Sequence, residues 1–367
     1  MAQSAQNVKV DKRRLLGYDE LAWTESPYRA GQAHYEAEVR MKAQIIYNPV
    51  AGQRDVRGEI QEVLDYLHSQ GWQVQADETH SPGEATRYAQ RARENGCQLV
   101  FAAGGDGTLN EVVNGLVGSD VAVGILPVGT GNVWAWEIGV PVWTPLHPHR
   151  LPDAVKALEE GVVYTVDVGR ANGRYFLLWA GVGFDAQVVE EIEPQLDIKR
   201  RWGALAFAVR AVVVALSFAG VRAFVTTDER TLRRRVMLVL VSNTQSYGGG
   251  IFRVAPQARL DDGYLDVCIF RGEGFFSILR HFLGVLMQHH LRDPQVHYYR
   301  TRYLTVKTRK PMPVHVDGVP IGHTPLEVSL VPRGIKVVVP RQVRKSLFSS
   351  PTIEGISVRE LVRSVFD

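Results

Sequence analysis

The stretch FAAGGDGTLNE, Phe101–Glu111, runs from an apolar segment through three glycines into a helix-compatible sequence. A buried strand that opens onto glycines and a helix start is the building unit of a parallel α/β sheet. Glycine lets backbone amides approach a ligand closely, and a helix N-terminus favours an anion. Gly104, Gly105, Asp106, Gly107 and Thr108 therefore read as a phosphate cradle. A tight turn with Asp106 or Thr108 as helix cap is the plainer alternative, but a cap needs one such residue and not three glycines. Neither standard phosphate fingerprint is met: GxGxxG fails at Asn110, and the chain has no Gly-Lys pair.

Outward from this stretch, strands and helices alternate. Met41–Pro49 reads as a buried strand, and Val56, Ile60, Val63, Leu64 and Leu67 recur at helical spacing before Gly71. Strands at Trp72–Ala76, Leu99–Ala103 and Val121–Leu126 alternate with helices at Gly83–Asn95 and Thr108–Leu116. This rhythm predicts a parallel sheet whose ligand lies at the carboxyl ends of the strands. Three further strand ends deliver polar groups to that rim: Asn48 with Gly52, Thr79, and Thr130 with Asn132 in LPVGTGN.

After about residue 150 the pattern becomes β-rich. Val162–Gly169 and Arg174–Ala180 flank Asn172-Gly173, a hairpin signal. Strands are expected at Ala223–Thr227, Arg234–Ser242, Tyr264–Phe270, Tyr303–Lys307, Val314–Val316, Leu326–Leu330 and Ile335–Val339, with helices near 199–219 and 275–290. The expected organisation is an extension (1–40), a parallel α/β nucleotide-binding domain (41–150), an antiparallel β-sandwich domain (151–340) and a tail (341–367). In the tail, Val358, Leu361, Val362 and Val365 suggest an amphipathic helix.

Of the 367 residues, 45% are hydrophobic and 22% charged, which excludes the disordered and fibrous classes. Cys97 and Cys268 lie far apart in apolar runs and read as buried thiols of a reducing compartment. No apolar leader is visible, and Ala204–Gly220, interrupted by Arg210, is short of a spanning helix. A cytoplasmic location is expected. Segment 41–150 is net −5 and segment 151–340 net +6, which excludes nucleic acid as a ligand of the first domain and suits an anionic surface for the second. Arg233–Arg235 are candidates for that surface. His147, His149, His289 and His290 have no metal-ligand company.

Six ordered motifs carry a resemblance: IIYNPVAG (45–52), GGDGTLNEVVNGL (104–116), LPVGTGNVWA (126–135), GVGFDA (181–186), YGGGIFRVAPQARLDDGYLDV (247–267) and VDGVPIGHTPLEV (316–328). Together they resemble the diacylglycerol kinase catalytic-domain family, which includes bacterial lipid kinases and the sphingosine and ceramide kinases. The resemblance implies an α/β nucleotide-binding domain and a β-sandwich lipid-binding domain with the active site in the cleft between them. It implies ATP and Mg²⁺, a lipid substrate at a membrane surface with peripheral contact, and no nucleic acid; a homodimer is the oligomeric candidate. Carried over by motif, Thr79, Gly104, Gly105, Asp106, Gly107, Thr108, Leu109, Asn110 and Thr130 would contact the nucleotide's phosphates, with Asn48, Glu111 and Asn132 nearby. Asp262, with the carbonyls of Arg259 and Tyr264, would hold magnesium, although Asp262 in a turn also suits an Asx-turn.

The sequence departs from the family at one place. Bacterial members read Asp-Gly-Glu where this chain has Asp317-Gly318-Val319, and valine cannot accept a proton. Asp106 and Asp317 remain the candidates for the catalytic acid-base role, with a hairpin-turn role as the alternative for Asp317. The expected activity is ATP-dependent phosphorylation of a lipid hydroxyl. The alternatives are a homologue that binds without turnover and, further off, an NAD kinase, which shares a GGDGT loop.

Overall fold

The computed structural model describes residues 41–52, 55–144, 151–192, 204–349 and 356–361. Four strands form its parallel part: β1 (Lys42–Tyr47), β2 (Gln73–Glu78), β3 (Leu99–Gly104) and β4 (Ala122–Pro127), in the order β4-β3-β1-β2. Every residue of β3 and β4 is buried, as expected where helices cover both faces of a parallel sheet. The covering helices are α1 (Arg57–Ser69), α2 (Glu84–Glu94), α3 (Asp106–Leu116), α4 (Val133–Ile138) and α5 (Leu151–Glu159). In α1 the buried set is Ile60, Val63 and Leu67, the spacing read from the sequence. The parallel register pairs Gly104 with Pro127, so the glycine-bearing strand ends finish at one rim.

The second part is antiparallel. It holds β5 (Val162–Ala171), β6 (Arg174–Phe176) and β7 (Trp179–Gly183), then α6 (Phe184–Ile192) and α7 (Ala204–Ser217). Next come β8 (Val221–Thr227), β9 (Thr231–Ser242), the short pair β10 (Ser246–Tyr247) and β11 (Phe252–Arg253), and β12 (Leu265–Arg271). Helix α8 (Gly274–Leu286) precedes β13 (Val296–Thr301), β14 (Tyr303–Thr308), β15 (Pro313–Val316), β16 (Val319–His323) and β17 (Leu326–Val339). Strand β18 (Ile356–Ser357) and the one-turn helix α9 (Val358–Leu361) close the described chain. Its sandwich core gathers Val182, Val225, Val239, Val267, Val314 and Val328. Both cysteines are buried and free. Of the expected tail helix, Val362 and Val365 lie outside the described residues, as do His147 and His149.

Two expectations are corrected. Arg174–Ala180 is not one strand: β6 ends at Phe176, and the N–H groups of Leu177, Leu178 and Trp179 turn inward to the Asp317 carboxylate. The segments 326–330 and 335–339 are not two strands but the single β17. It is bent at a register shift between Val331 and Ile335, where Arg333 has φ 48° and donates its N–H to Asp167. Before the bend β17 pairs with β14, and beyond it Lys336 and Val337 pair in parallel with Ala122 and Val123 of β4. One hydrogen-bonded ladder thus joins the parallel and antiparallel parts.

Candidate functional site

The rim is built from three loops pressed backbone to backbone. Val128 and Gly129 both donate to the Gly104 carbonyl, at 3.1 and 3.3 Å. A Cβ on Gly129 would lie 2.4 Å from Gly105 Cα, and one on Gly52 (φ +82°) would lie 2.3 Å from the Val128 carbonyl oxygen. Helix α3 starts at Asp106 with Gly105 as its N-cap, a residue with no side chain to bond the first turn, while the Asp106 carboxylate accepts its own N–H. The free N–H groups of the first turn therefore remain for an anion.

Asp106 instead reaches across to α4, accepting Val133 N–H at 3.0 Å and Trp134 N–H at 3.1 Å. Burial raises its carboxyl above the ordinary range. Thr130 is exposed at the loop tip. Asn132 stands at the N-terminus of α4 with φ 48°, donates to the Gly129 carbonyl at 2.6 Å, and keeps a buried Oδ1 without a partner. Asn48 spends its Oδ1 on Val50 N–H at 3.0 Å, and the Thr79 hydroxyl donates to the Tyr47 carbonyl at 3.2 Å. Beside them Glu78 accepts from Arg57 and from the Tyr47 hydroxyl. The Arg57 bonds hold the Glu78 carboxyl down to about 2. Glu111 accepts Ala85 N–H at 3.2 Å and so fastens α2.

Leu109 and Asn110 do not face the cradle. Leu109 lies in the core, and the fully buried Asn110 amide donates to Asp317 Oδ2 and to the Tyr175 carbonyl, both at 2.8 Å, while its oxygen accepts from Arg174. Asp317 is correspondingly committed. Its two oxygens accept from Leu177, Leu178 and Trp179 N–H at 2.9–3.1 Å and from Asn110. Burial pushes its carboxyl up to about 6 against those donors. The expectation of a proton acceptor at 317 is not met by a carboxylate with every contact already a protein donor; the residue ties α3 to the antiparallel part.

Sequence reading missed the neighbours of this tether. Two positions earlier on β15, His315 Nε2 lies 2.7 Å from Asp185 Oδ2, which also accepts the Tyr247 hydroxyl at 3.2 Å. His315 Nδ1 and Trp179 Nε1 are buried without partners. Asp185 was visible in GVGFDA, but His315 carried no signal, because its partner is 130 residues away. Val319 does approach the rim: its Cγ2 is 3.9 Å from the place a Cβ on Gly107 would occupy.

The magnesium expectation fits less well. Asp262 Oδ1 accepts Tyr264 N–H at 3.1 Å, and Oδ2 is bound by the Arg300 guanidinium, so a fixed cation already sits on the one carboxylate of the set. No cluster of three or more acidic, histidine or cysteine ligands occurs among the described residues, and no chemical step is derived through a metal there. Close by, Asp266 is fully buried, is bonded by the Tyr298 hydroxyl, and has a partnerless Oδ2. Burial pushes it up to about 6 from 3.8. The folded state therefore favours protonated Asp266, a contribution fully present below about pH 4 and lost as pH rises through about 6. Denaturant unfolding should show Asp266 contributing a fall of ~2–3 kcal/mol across that window, beside that of Asp317, and Asp266→Asn should remove its share of the slope. An unchanged slope would contradict this account of Asp266.

Known proteins match this arrangement. Residues 42–171 match the family described as the diacylglycerol kinase catalytic domain, and residues 179–339 match the YegS C-terminal NAD kinase beta sandwich-like domain. A diacylglycerol kinase of Bacillus subtilis (strain 168) is 30% identical over 311 residues, covering 83% of this chain and 99% of that protein. One from Staphylococcus carnosus (strain TM300) is 29% identical, covering 84% and 98%. The crystal structure of a diacylglycerol kinase from Bacillus anthracis str. Sterne shares the fold, with a TM-score of 0.61 at 23% identity over 83% of this chain and 98% of that one. The chain belongs to the diacylglycerol kinase family.

Proposed function

We propose that this protein transfers the γ-phosphoryl group of ATP to a hydroxyl of diacylglycerol or a related lipid. The observation that carries the reading is the glycine cradle: two loops in backbone contact, at a helix N-terminus, opposite the β15–β16 hairpin. Amides of Gly104–Thr108 and the Thr108 and Thr130 hydroxyls hold the phosphates, and the divalent metal travels with ATP as part of that substrate. The acceptor oxygen attacks phosphorus from the Val319 side as the bond to the bridging oxygen breaks and ADP leaves with that electron pair. Phosphoryl transfer through a loose transition state depends mainly on positioning, so the hydroxyl proton can pass late to an oxygen of the transferred phosphoryl group and then to water, and a strong base is not required. Asp106, whose two oxygens accept the Val133 and Trp134 N–H groups and which lies against Gly131 at 3.3 Å from the site of its missing Cβ, positions α4 and the loop before it.

The test is label transfer from γ-labelled ATP to diacylglycerol, ceramide, sphingosine, an undecaprenol-like alcohol and NAD, with magnesium present. Label is expected in a lipid product, with Asp106→Asn slower by ~10²-fold as α4 and the loop before it shift. Val319→Glu, which restores an acid facing the loop, is expected to speed the reaction. Label in NAD, or none in any lipid from folded protein, would overturn the proposal.

A further inference from the structure

Helix α8 is apolar on two sides. Ile278, together with α7 residues Ala211 and Val214, packs on the cluster of Val188, Phe218 and Met237. The opposite side presents Phe276 (83% exposed), Leu279, Leu283 and Leu286 to solvent, spaced as one helical stripe. Its neighbour α7 does the same with Val212, Val213 and Leu216 (69% exposed). Soluble monomers rarely expose a contiguous apolar patch of this kind.

The sheet face beside the helices is basic. Across β8, β9 and β14, Arg222 stands opposite Arg235, and Phe224 opposite both Arg233 and Lys307. The Arg309 N–H bonds to the Arg222 carbonyl. Like charges placed directly across a sheet destabilise it, so this row is consistent with an anionic counter-surface. Its acidic neighbours lie at the ends: Glu273 paired with Arg235, and Asp228 and Glu229 at the β8–β9 turn. Arg235 also donates to the Ala219 carbonyl. It therefore pins the row to the end of α7 and the start of α8.

The apolar rim continues to the cradle. Phe282 of α8 meets Phe252 edge-on at 5.6 Å, and Gly250, two residues before Phe252, lies against exposed Trp136 of α4. Helix α4 follows directly on the 128–132 loop. We propose that α7, α8 and the β8-β9-β14 face form a docking surface for an anionic lipid bilayer. The stripes enter the interfacial region and the arginine row meets the headgroups. The surface delivers the substrate's bilayer to the site mouth, and to that extent rests on the kinase reading.

The full chain should co-sediment with vesicles of phosphatidylcholine mixed with phosphatidylglycerol, weakly with phosphatidylcholine alone, and less as salt rises. Arg222→Gln and Arg233→Gln should each weaken binding about fivefold, and Phe276→Ser with Leu279→Ser at least ~tenfold. On a water-soluble short-chain diacylglycerol these variants should keep wild-type turnover while losing it on vesicle-borne substrate. Sedimentation needs no nucleotide, so vesicle binding without any lipid phosphorylation would defeat the kinase reading and leave the docking surface standing. Equal binding by the variants, indifference to anionic lipid, or a dimer that Phe276→Ser dissolves would overturn the docking proposal.

Discussion

Replacing Gly129 by alanine is expected to abolish measurable ATP binding while leaving the rest of the fold in place. The new Cβ would lie 2.4 Å from Gly105 Cα and 2.9 Å from Gly105 N, and neither neighbour is a side chain that could swing away. The two loops hang from adjacent strands, and Val128 and Gly129 of one both donate to the Gly104 carbonyl of the other. Separating them therefore moves the amides that, on the proposed function, would meet the phosphates. Overpacking of this kind costs ~1–3 kcal/mol of stability, but a displacement of about 1 Å at a positioning element can cost a hundredfold in rate. Gly96→Ala is the matched control. Its φ of +73° makes alanine strained by ~1 kcal/mol or more, yet nothing lies within 4 Å of the added atom. Calorimetric titration with ATP should find Gly96→Ala binding as the wild type and Gly129→Ala not binding. Equal affinity in both would remove the close loop approach from the account.

The largest loss of stability is expected at Asp317→Ala. The substitution strands three buried backbone N–H groups and the Asn110 amide, all of which the carboxylate now satisfies. At ~1–3 kcal/mol for each unsatisfied buried group, with part recovered by entering water, the cost is on the order of 4–6 kcal/mol. The melting temperature should fall by ~10 °C or more. Asp317→Asn should cost less, since one oxygen still accepts, although its NH₂ is turned toward donors. If Asp317 were instead the proton acceptor, Asp317→Asn would stop turnover at unchanged stability. Unfolding curves and turnover measured on the same preparations separate the two roles.

The parallel sheet was legible because β1, β3 and β4 are short, largely buried apolar runs that end at turn residues, with helices whose buried positions repeat at the helical period. Ile60, Val63 and Leu67 are an example. The cradle was legible because three glycines at a strand-to-helix junction have few other uses. Strand β13 was not legible: VHYYRT mixes aromatic, charged and half-buried positions along a strand that, among the described residues, pairs with β12 alone, so no alternation of apolar and polar residues appears. The unity of β17 was hidden by Pro332-Arg333-Gly334, which reads as a turn and is instead a bend held by Asp167. At the site, the buried Asn110, Asp317 and His315 and the half-buried Arg174 have partners 64 to 207 residues away. Local spacing carries no trace of such pairings, and neither does the family motif that makes Asn110 a phosphate contact and Asp317 an acid candidate.

The most direct test of the central claim is the stoichiometry of products from dioleoylglycerol and ATP in mixed micelles, with magnesium. The account predicts phosphatidic acid and ADP in equal amounts from the wild type, and both formed ~10²-fold more slowly by Asp106→Asn at the same nucleotide occupancy. ADP without phosphorylated lipid, or ATP bound and left intact by a correctly folded wild-type protein, would contradict it.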